Sequence, residues 1–166
     1  MLVLGAPRVG AIAPHGLGKT VQHTSFRSPA PVAIVRSPGG PVATAPMIVG
    51  LDPVDCNLAA VDWSFAIAGR LDAPLEVVAV SDRTEAVDAV ERLLEKFVGR
   101  DSPLVDLFQT DGDPAEELMA RAAEIDASVI VVGQKRRHNI GGRVLGHIPS
   151  KLIYQSQHPV ILLPHT

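Results

Sequence analysis

Residues 16–20 of this 166-residue chain read GLGKT, the closing residues of a phosphate-binding loop. Such a loop requires G-x-x-x-x-G-K-[ST], because the first glycine makes the tight turn, the loop amides face the phosphates, and the lysine reaches the β and γ oxygens. Gly18, Lys19 and Thr20 satisfy the end of the pattern. The first-glycine position is held by Ala13, and Pro14 beside it has no N–H to donate. The loop should also leave directly from a buried strand, yet eight residues separate the apolar run Leu2–Leu4 from Ala13. On these counts GLGKT is not a nucleoside triphosphatase loop. The six histidines and the single Cys56 show no ligand spacing, so no metal is expected. No Ser-His-Asp or Cys-His grouping stands out, and Cys56 beside Asp55 has no base to activate it.

The chain has room for about one domain with a sizeable core. Composition is that of a globular protein, 46% apolar and 20% charged, and no run of about 18 apolar residues predicts a membrane span. The apolar start is broken by Pro7 and Arg8 and has no basic region ahead of it, which makes it a poor signal peptide. With one cysteine, a reducing cytoplasmic setting is the expectation. Residues 1–50 hold four basic residues and no acid, so with −3 overall the remainder carries −7. Four scattered charges with one aromatic, Phe26, make too thin a footprint for a nucleic-acid face. A basic segment docking on an acidic domain is the plainer account.

An internal repeat explains the glycines. Sliding the chain on itself by 128 residues lays 2–35 over 130–163 without a gap, with nine identities in 34 positions. The shared pattern is an apolar strand, Gly5 or Gly133, a second glycine thirteen residues on (Gly18 or Gly146), then Pro31 or Pro159 and another apolar strand. Residues 1–36 are therefore expected to be a partial strand-helix-strand copy of the chain's own end. Residues 37–46, SPGGPVATAP, read as a linker, and 47–166 as the main domain.

Within 47–166, apolar runs at Met47–Leu51, Leu75–Val80, Pro103–Gln109, Ala127–Val132 and Pro159–Leu163 predict five strands. Between them run helical stripes: Leu58, Val61, Phe65, Ala68 and Leu71; then Val87, Val90, Leu94 and Phe97 behind a Thr84 cap; then Leu118, Met119, Ala122 and Ile125. Asp113 is a good N-cap for the last, with Pro114 at the first helical position and Glu116 at capping-box spacing. Alternation of this kind predicts an α/β domain with an open, doubly wound, five-stranded parallel sheet. Ligands in such sheets sit beyond the carboxyl ends of the strands, where Asp52, Val80 and Gly133 fall.

On the stretches IVGLD, EVVAV, DGDPAEEL with ASVIVVG, and PVILLP, residues 47–165 resemble the universal stress protein family. The resemblance implies an adenine nucleotide alpha hydrolase-like fold, an ATP or AMP site in many members, and a dimer formed through the last strand. The partial first copy resembles the end of a preceding domain, as in the family's tandem proteins. Binding members carry G-x2-G-x9-G-[ST] after the fourth strand. Gly133 and Gly146 hold its outer positions and Gly142 supplies another glycine, but Arg136 replaces the middle glycine and His147 the hydroxyl residue. Asp52 matches the acid that meets the nucleoside, and Val80 an apolar contact. Glycine lets loop amides at a helix N-terminus approach phosphate oxygens, and Lys135, Arg136, Arg137, His138 and Arg143 make this loop strongly basic.

The resulting expectation is a non-enzymatic stress-response protein with a degenerate adenine-nucleotide site, acting through dimer or partner contacts. The alternative is an interaction module that binds no nucleotide. The strand at 32–35 is expected to pair with Ile161–Leu163, an internal imitation of the dimer contact that would cover the edge strand.

Overall fold

In a computed structural model of the protein, the described residues are 1–5, 19–36, 44–53, 57–81, 88, 90–92, 94–95, 105–134, 137–139, 142–144 and 146–164. They form nine strands and four helices of assigned extent: β1 (Leu2–Gly5), α1 (Lys19–Arg27), β2 (Val32–Val35), β3 (Met47–Leu51), α2 (Leu58–Leu71), β4 (Leu75–Val80), β5 (Val105–Thr110), α3 (Pro114–Glu124), β6 (Val129–Gln134), β7 (Arg137–Asn139), β8 (Gly142–Val144), α4 (His147–Gln155) and β9 (Val160–Pro164). Of the expected helix capped by Thr84, Val90 and Leu94 are buried, while Thr84, Val87 and Phe97 lie outside the described residues.

Seven strands share one sheet in the order β1-β2-β9-β6-β3-β4-β5. All neighbours are parallel except β2 and β9. The chain runs from β3 outward to β5, then returns to β6 and proceeds the other way to β9. That reversal puts a topological switch point between β3 and β6. The five expected strands are contiguous in this sheet, and β1 and β2 extend it past β9, with β2 on β9 as expected of the strand at 32–35.

The central strands are apolar on both faces because helices cover both. Alternate residues go to opposite layers: Met47, Val49 and Val77 pack with Val61, Phe65 and Ala68 of α2. Ile48, Val78, Ile130 and Val132 pack with Leu118 and Ala122 of α3 and Leu152 and Ile153 of α4. One ion pair interrupts this apolar layer. Glu76 on β4 is buried and receives Arg121 of α3 through two N–H···O bonds of 2.7 Å, with the guanidinium 4.2 Å from the Phe108 ring centroid. Caps fix the helix starts: Asp113 Oδ1 accepts from Ala115 N–H and Glu116 N–H, both at 3.0 Å, as its spacing predicts.

The unit β1-α1-β2 repeats the unit β6-α4-β9 contact for contact. Leu2 pairs with Val32 as Ile130 does with Val160, and Gly5 with Val35 as Gly133 does with Leu163. Leu2 N–H donates to Pro31 O as Ile130 N–H does to Pro159 O. Ser28 Oγ bridges both backbone groups of Ala30, and Ser156 Oγ bridges those of His158. Every one of these pairs is 128 residues apart. The antiparallel β2–β9 contact is symmetric under the same shift, with Val32 opposite Leu162, Ala33 opposite Ile161 and Ile34 opposite Val160.

Among the described residues, no helix is long and apolar enough to cross a membrane.

Candidate functional site

A cavity of about 300 Å³ opens at the carboxyl ends of β3, β4 and β6, beside the switch point. That size is at the small end of ligand pockets. Its walls are mostly apolar: Val78 and Val80 from β4, Leu118 from α3, Val132 from β6, and Ile148 and Pro149 from α4. Asp52, Asn57 and His147 supply the polar groups around it. Gly50 lets the α3 side wall close in, since a methyl at that position would stand 2.8 Å from Leu118 Cδ1.

Asn57 has two duties that its position explains. As the N-cap of α2, its Oδ1 accepts from Ala60 N–H at 3.2 Å. Its amide nitrogen Nδ2 is buried against Gly133 and has no hydrogen-bond partner among the described residues. A buried donor left unpaired costs about 1–3 kcal/mol, so the site holds a donor that an acceptor on a ligand can satisfy.

Besides the α2 cap, two helix N-termini face the cavity. The cap of α4 is Gly146, which makes no side-chain bond, and its first turn carries no acid. Its amides and dipole are therefore free of competing carboxylate at the end where an anion is favoured. Pro149 removes one of those amides. The α3 end carries Asp113, and Lys151 of α4 ties it down: Nζ lies 2.6 Å from Glu116 Oε1 and 3.1 Å from Asp113 Oδ1. The Glu116 N–H bond, then the Lys151 bond, hold the Asp113 carboxyl below its ordinary range. Its bond to Glu116 raises Lys151. The clamp fixes the two walls relative to each other.

Of the residues singled out in the sequence, Asp52, Val80, Gly133, Gly146 and His147 line this one cavity. Gly142 pairs with Asn139 in a two-stranded antiparallel hairpin, β7-β8, within the stretch expected to be plain loop. Arg136 lies outside the described residues. Sequence reasoning missed Asn57, although an asparagine directly before the apolar stripe of Leu58 and Val61 is a cap signal. It also missed Leu118, Ile148 and Pro149 as walls, because nothing in a helical stripe says which of its residues ends beside a strand terminus. Among the described residues, no group of three or more His, Cys, Asp or Glu could hold a metal.

Comparison with known proteins bears on this arrangement. The model of the universal stress protein family matches residues 82–164. The chain belongs to that family. This universal stress protein is 31% identical over 88 residues to the stress response protein NhaX of Bacillus subtilis (strain 168), a match covering 53% of the chain and 51% of the relative. It thus spans about half the length of that curated relative. A universal stress protein from Archaeoglobus fulgidus superposes with a TM-score of 0.77 at 18% identity, over 99% of this chain and 62% of that one. Another universal stress protein, solved in complex with cAMP, gives a TM-score of 0.64 at 25% identity, over 75% of this chain and 100% of that one.

Proposed function

We propose that this universal stress protein binds an adenine nucleotide in the cavity at the ends of β3, β4 and β6, and acts in the cytoplasm as a non-enzymatic stress-response protein through partner contacts. The observation that carries this reading is the convergence of Asp52, Val80, Gly133, Gly146 and His147 on one apolar cavity, although they lie up to 95 residues apart in the chain. The match to a relative solved with cAMP supports the ligand class. The fit is physical as well. Val78, Val80, Leu118 and Ile148 suit the faces of a purine, the Asn57 Nδ2 donor suits a ring or ribose acceptor, and the uncapped α4 terminus suits a phosphate. A cavity of about 300 Å³ accommodates a nucleoside with its phosphate outside, which favours AMP or cAMP over fully enclosed ATP. Arg136 and His147 stand where binding members carry Gly and Ser or Thr, so the affinity is expected to be modest.

Calorimetric titration of AMP, ATP and cAMP tests the reading. Binding heat that disappears on Asp52→Ala supports it. No heat at millimolar ligand overturns it and leaves the interaction module with no nucleotide. Phosphate release from ATP above a no-protein blank, lost on Asp52→Ala, would overturn the non-enzymatic part.

We further propose that residues 1–36 are a partial copy of a universal stress protein unit, linked through 37–46, and that β2 takes the place on β9 that a second protein molecule would otherwise take. The common 128-residue shift of register, turn bonds and helix bounds supports this. So does the self-complementary β2–β9 pairing, the form of a two-fold contact. Deleting residues 1–46 is expected to convert a monomer to a dimer in light scattering; an unchanged monomer of normal solubility refutes it.

A further inference from the structure

The repeat leaves one surface without its counterpart. On its inner side β1 pairs with β2 as β6 pairs with β9, but β6 has a second neighbour, β3, and among the described residues β1 ends the sheet. The sequence at that edge is built for burial all the same. Leu2 and Val3 are 45% and 64% exposed, whereas their counterparts Ile130 and Val131 are both 0% exposed beneath β3 and the helices. A parallel strand apolar on both faces is the pattern of a central strand, and as an open edge it invites pairing.

Gly5 adds an independent observation. Its counterpart Gly133 is a notch filled by Asn57, the residue that follows β3 and caps α2. At Gly5 a methyl would meet nothing within 4 Å among the described residues. Its φ is not in the left-handed region, so neither backbone conformation nor packing within the described residues calls for glycine there. The position has the shape of a receptor for a side chain that arrives with a strand not present in this sheet.

We propose that the β1 edge docks the leading half of another universal stress protein unit, a polypeptide equivalent to residues 44–128 here. Its first strand lies parallel to β1, with the counterparts of Met47, Ile48, Val49 and Gly50 opposite Met1, Leu2, Val3 and Leu4. That register follows from the pairing of Met47, Ile48, Val49 and Gly50 with Val129, Ile130, Val131 and Val132, shifted by 128. The residue equivalent to Asn57 enters the notch at Gly5. The Archaeoglobus fulgidus relative has length for such a half, since more than a third of it lies outside the match. The inference rests on the partial-copy reading above and is independent of nucleotide binding.

The test supplies the half in register. A second copy of residues 44–128 is fused ahead of Met1 of the full chain, because Ser128 precedes Val129 and Met1 is the counterpart of Val129. Leu2 N–H donates inward to Pro31 O, so by strand alternation the Val3 and Gly5 amides face the open edge. Docking is expected to slow hydrogen exchange at Val3 and Gly5 at least about 100-fold relative to the unfused chain. Gly5→Leu should abolish that protection in the fusion while leaving the melting temperature of the unfused chain unchanged. Val3 and Gly5 exchanging equally fast in both proteins, with Leu4 still protected, overturns the proposal. If deletion of residues 1–46 nevertheless yields a dimer, the partial-copy reading survives and docking alone has failed.

Discussion

Replacing Gly133 with alanine puts a methyl group where Asn57 already stands. The new carbon would lie against Asn57 Nδ2, 2.5 Å from its Cβ and 2.8 Å from its Cγ. Rotating the asparagine cannot relieve this, because Cβ is fixed to the backbone, so the start of α2 must move. Two losses follow: the cap bond from Ala60 N–H, worth about 1 kcal/mol, and overpacking worth about 1–3 kcal/mol. Together they amount to about 2–4 kcal/mol, or a melting temperature lowered by roughly 4–15 °C in a chain of this size. Asn57→Gly removes the obstructing atoms, and glycine at an N-cap costs only about a few tenths of a kcal/mol. In urea unfolding the double variant should therefore be more stable than Gly133→Ala alone, with a coupling of at least about 1.5 kcal/mol. Additive costs, or a Gly133→Ala loss below about 1 kcal/mol, would refute the packing account. A variant of wild-type stability with weakened AMP binding would assign the glycine to phosphate approach alone.

Four other outcomes follow. Arg121→Ala strands the buried Glu76 carboxylate and should cost about 3 kcal/mol in urea unfolding, whereas Arg121→Met with Glu76→Gln should cost less than the single change. Burial holds His158 below its ordinary value of 6.5, against the opposing pull of Asp126. A base whose folded pKa is depressed stabilises the fold above its unfolded pKa and loses that contribution as pH falls, so melting temperature should drop as pH falls below about 6.5, and less steeply in His158→Gln. His147→Asp sets a negative charge at the α4 terminus. It should leave the fold equal or better by about 0.3–1 kcal/mol while weakening AMP at least about ten-fold and adenosine little, by calorimetry. Ile34→Ala empties a fully buried site on β2 and should lower the stability of the whole chain by about 2–4 kcal/mol in one transition; an independent early transition would show that the N-terminal unit folds apart.

Much of the fold was legible because its signals are local. Met47–Leu51 and Leu75–Val80 were found with their observed bounds, since continuous apolar runs between turn residues have few other uses. Asp113 was readable as a cap from its spacing to Pro114 and Glu116. The third strand reaches Thr110, one residue past its expected end at Gln109, because pairing carries Thr110 opposite Val80, and that partner is distant in sequence; the expected start at Pro103 lies outside the described residues. The hairpin of 137–139 with 142–144 was missed for a related reason: its strands are three residues long and basic, with no apolar alternation to announce them. At the site, the glycines were visible but not what fills the space beside them.

The sequence by itself determined the order of the main-domain strands and helices, the Asp113 cap, and the 128-residue spacing of similar segments, because periodicity and spacing act over a few turns of chain. Only tertiary structure decided the antiparallel register of β2 on β9, that Glu76 meets Arg121 over Phe108, and that Asn57 occupies the notch at Gly133 with its Nδ2 unpaired among the described residues. These contacts join residues 13 to 130 positions apart, and their energies come from burial and from pairing of buried polar groups. No local preference encodes such pairings. They exist because the sheet order brings those particular surfaces together.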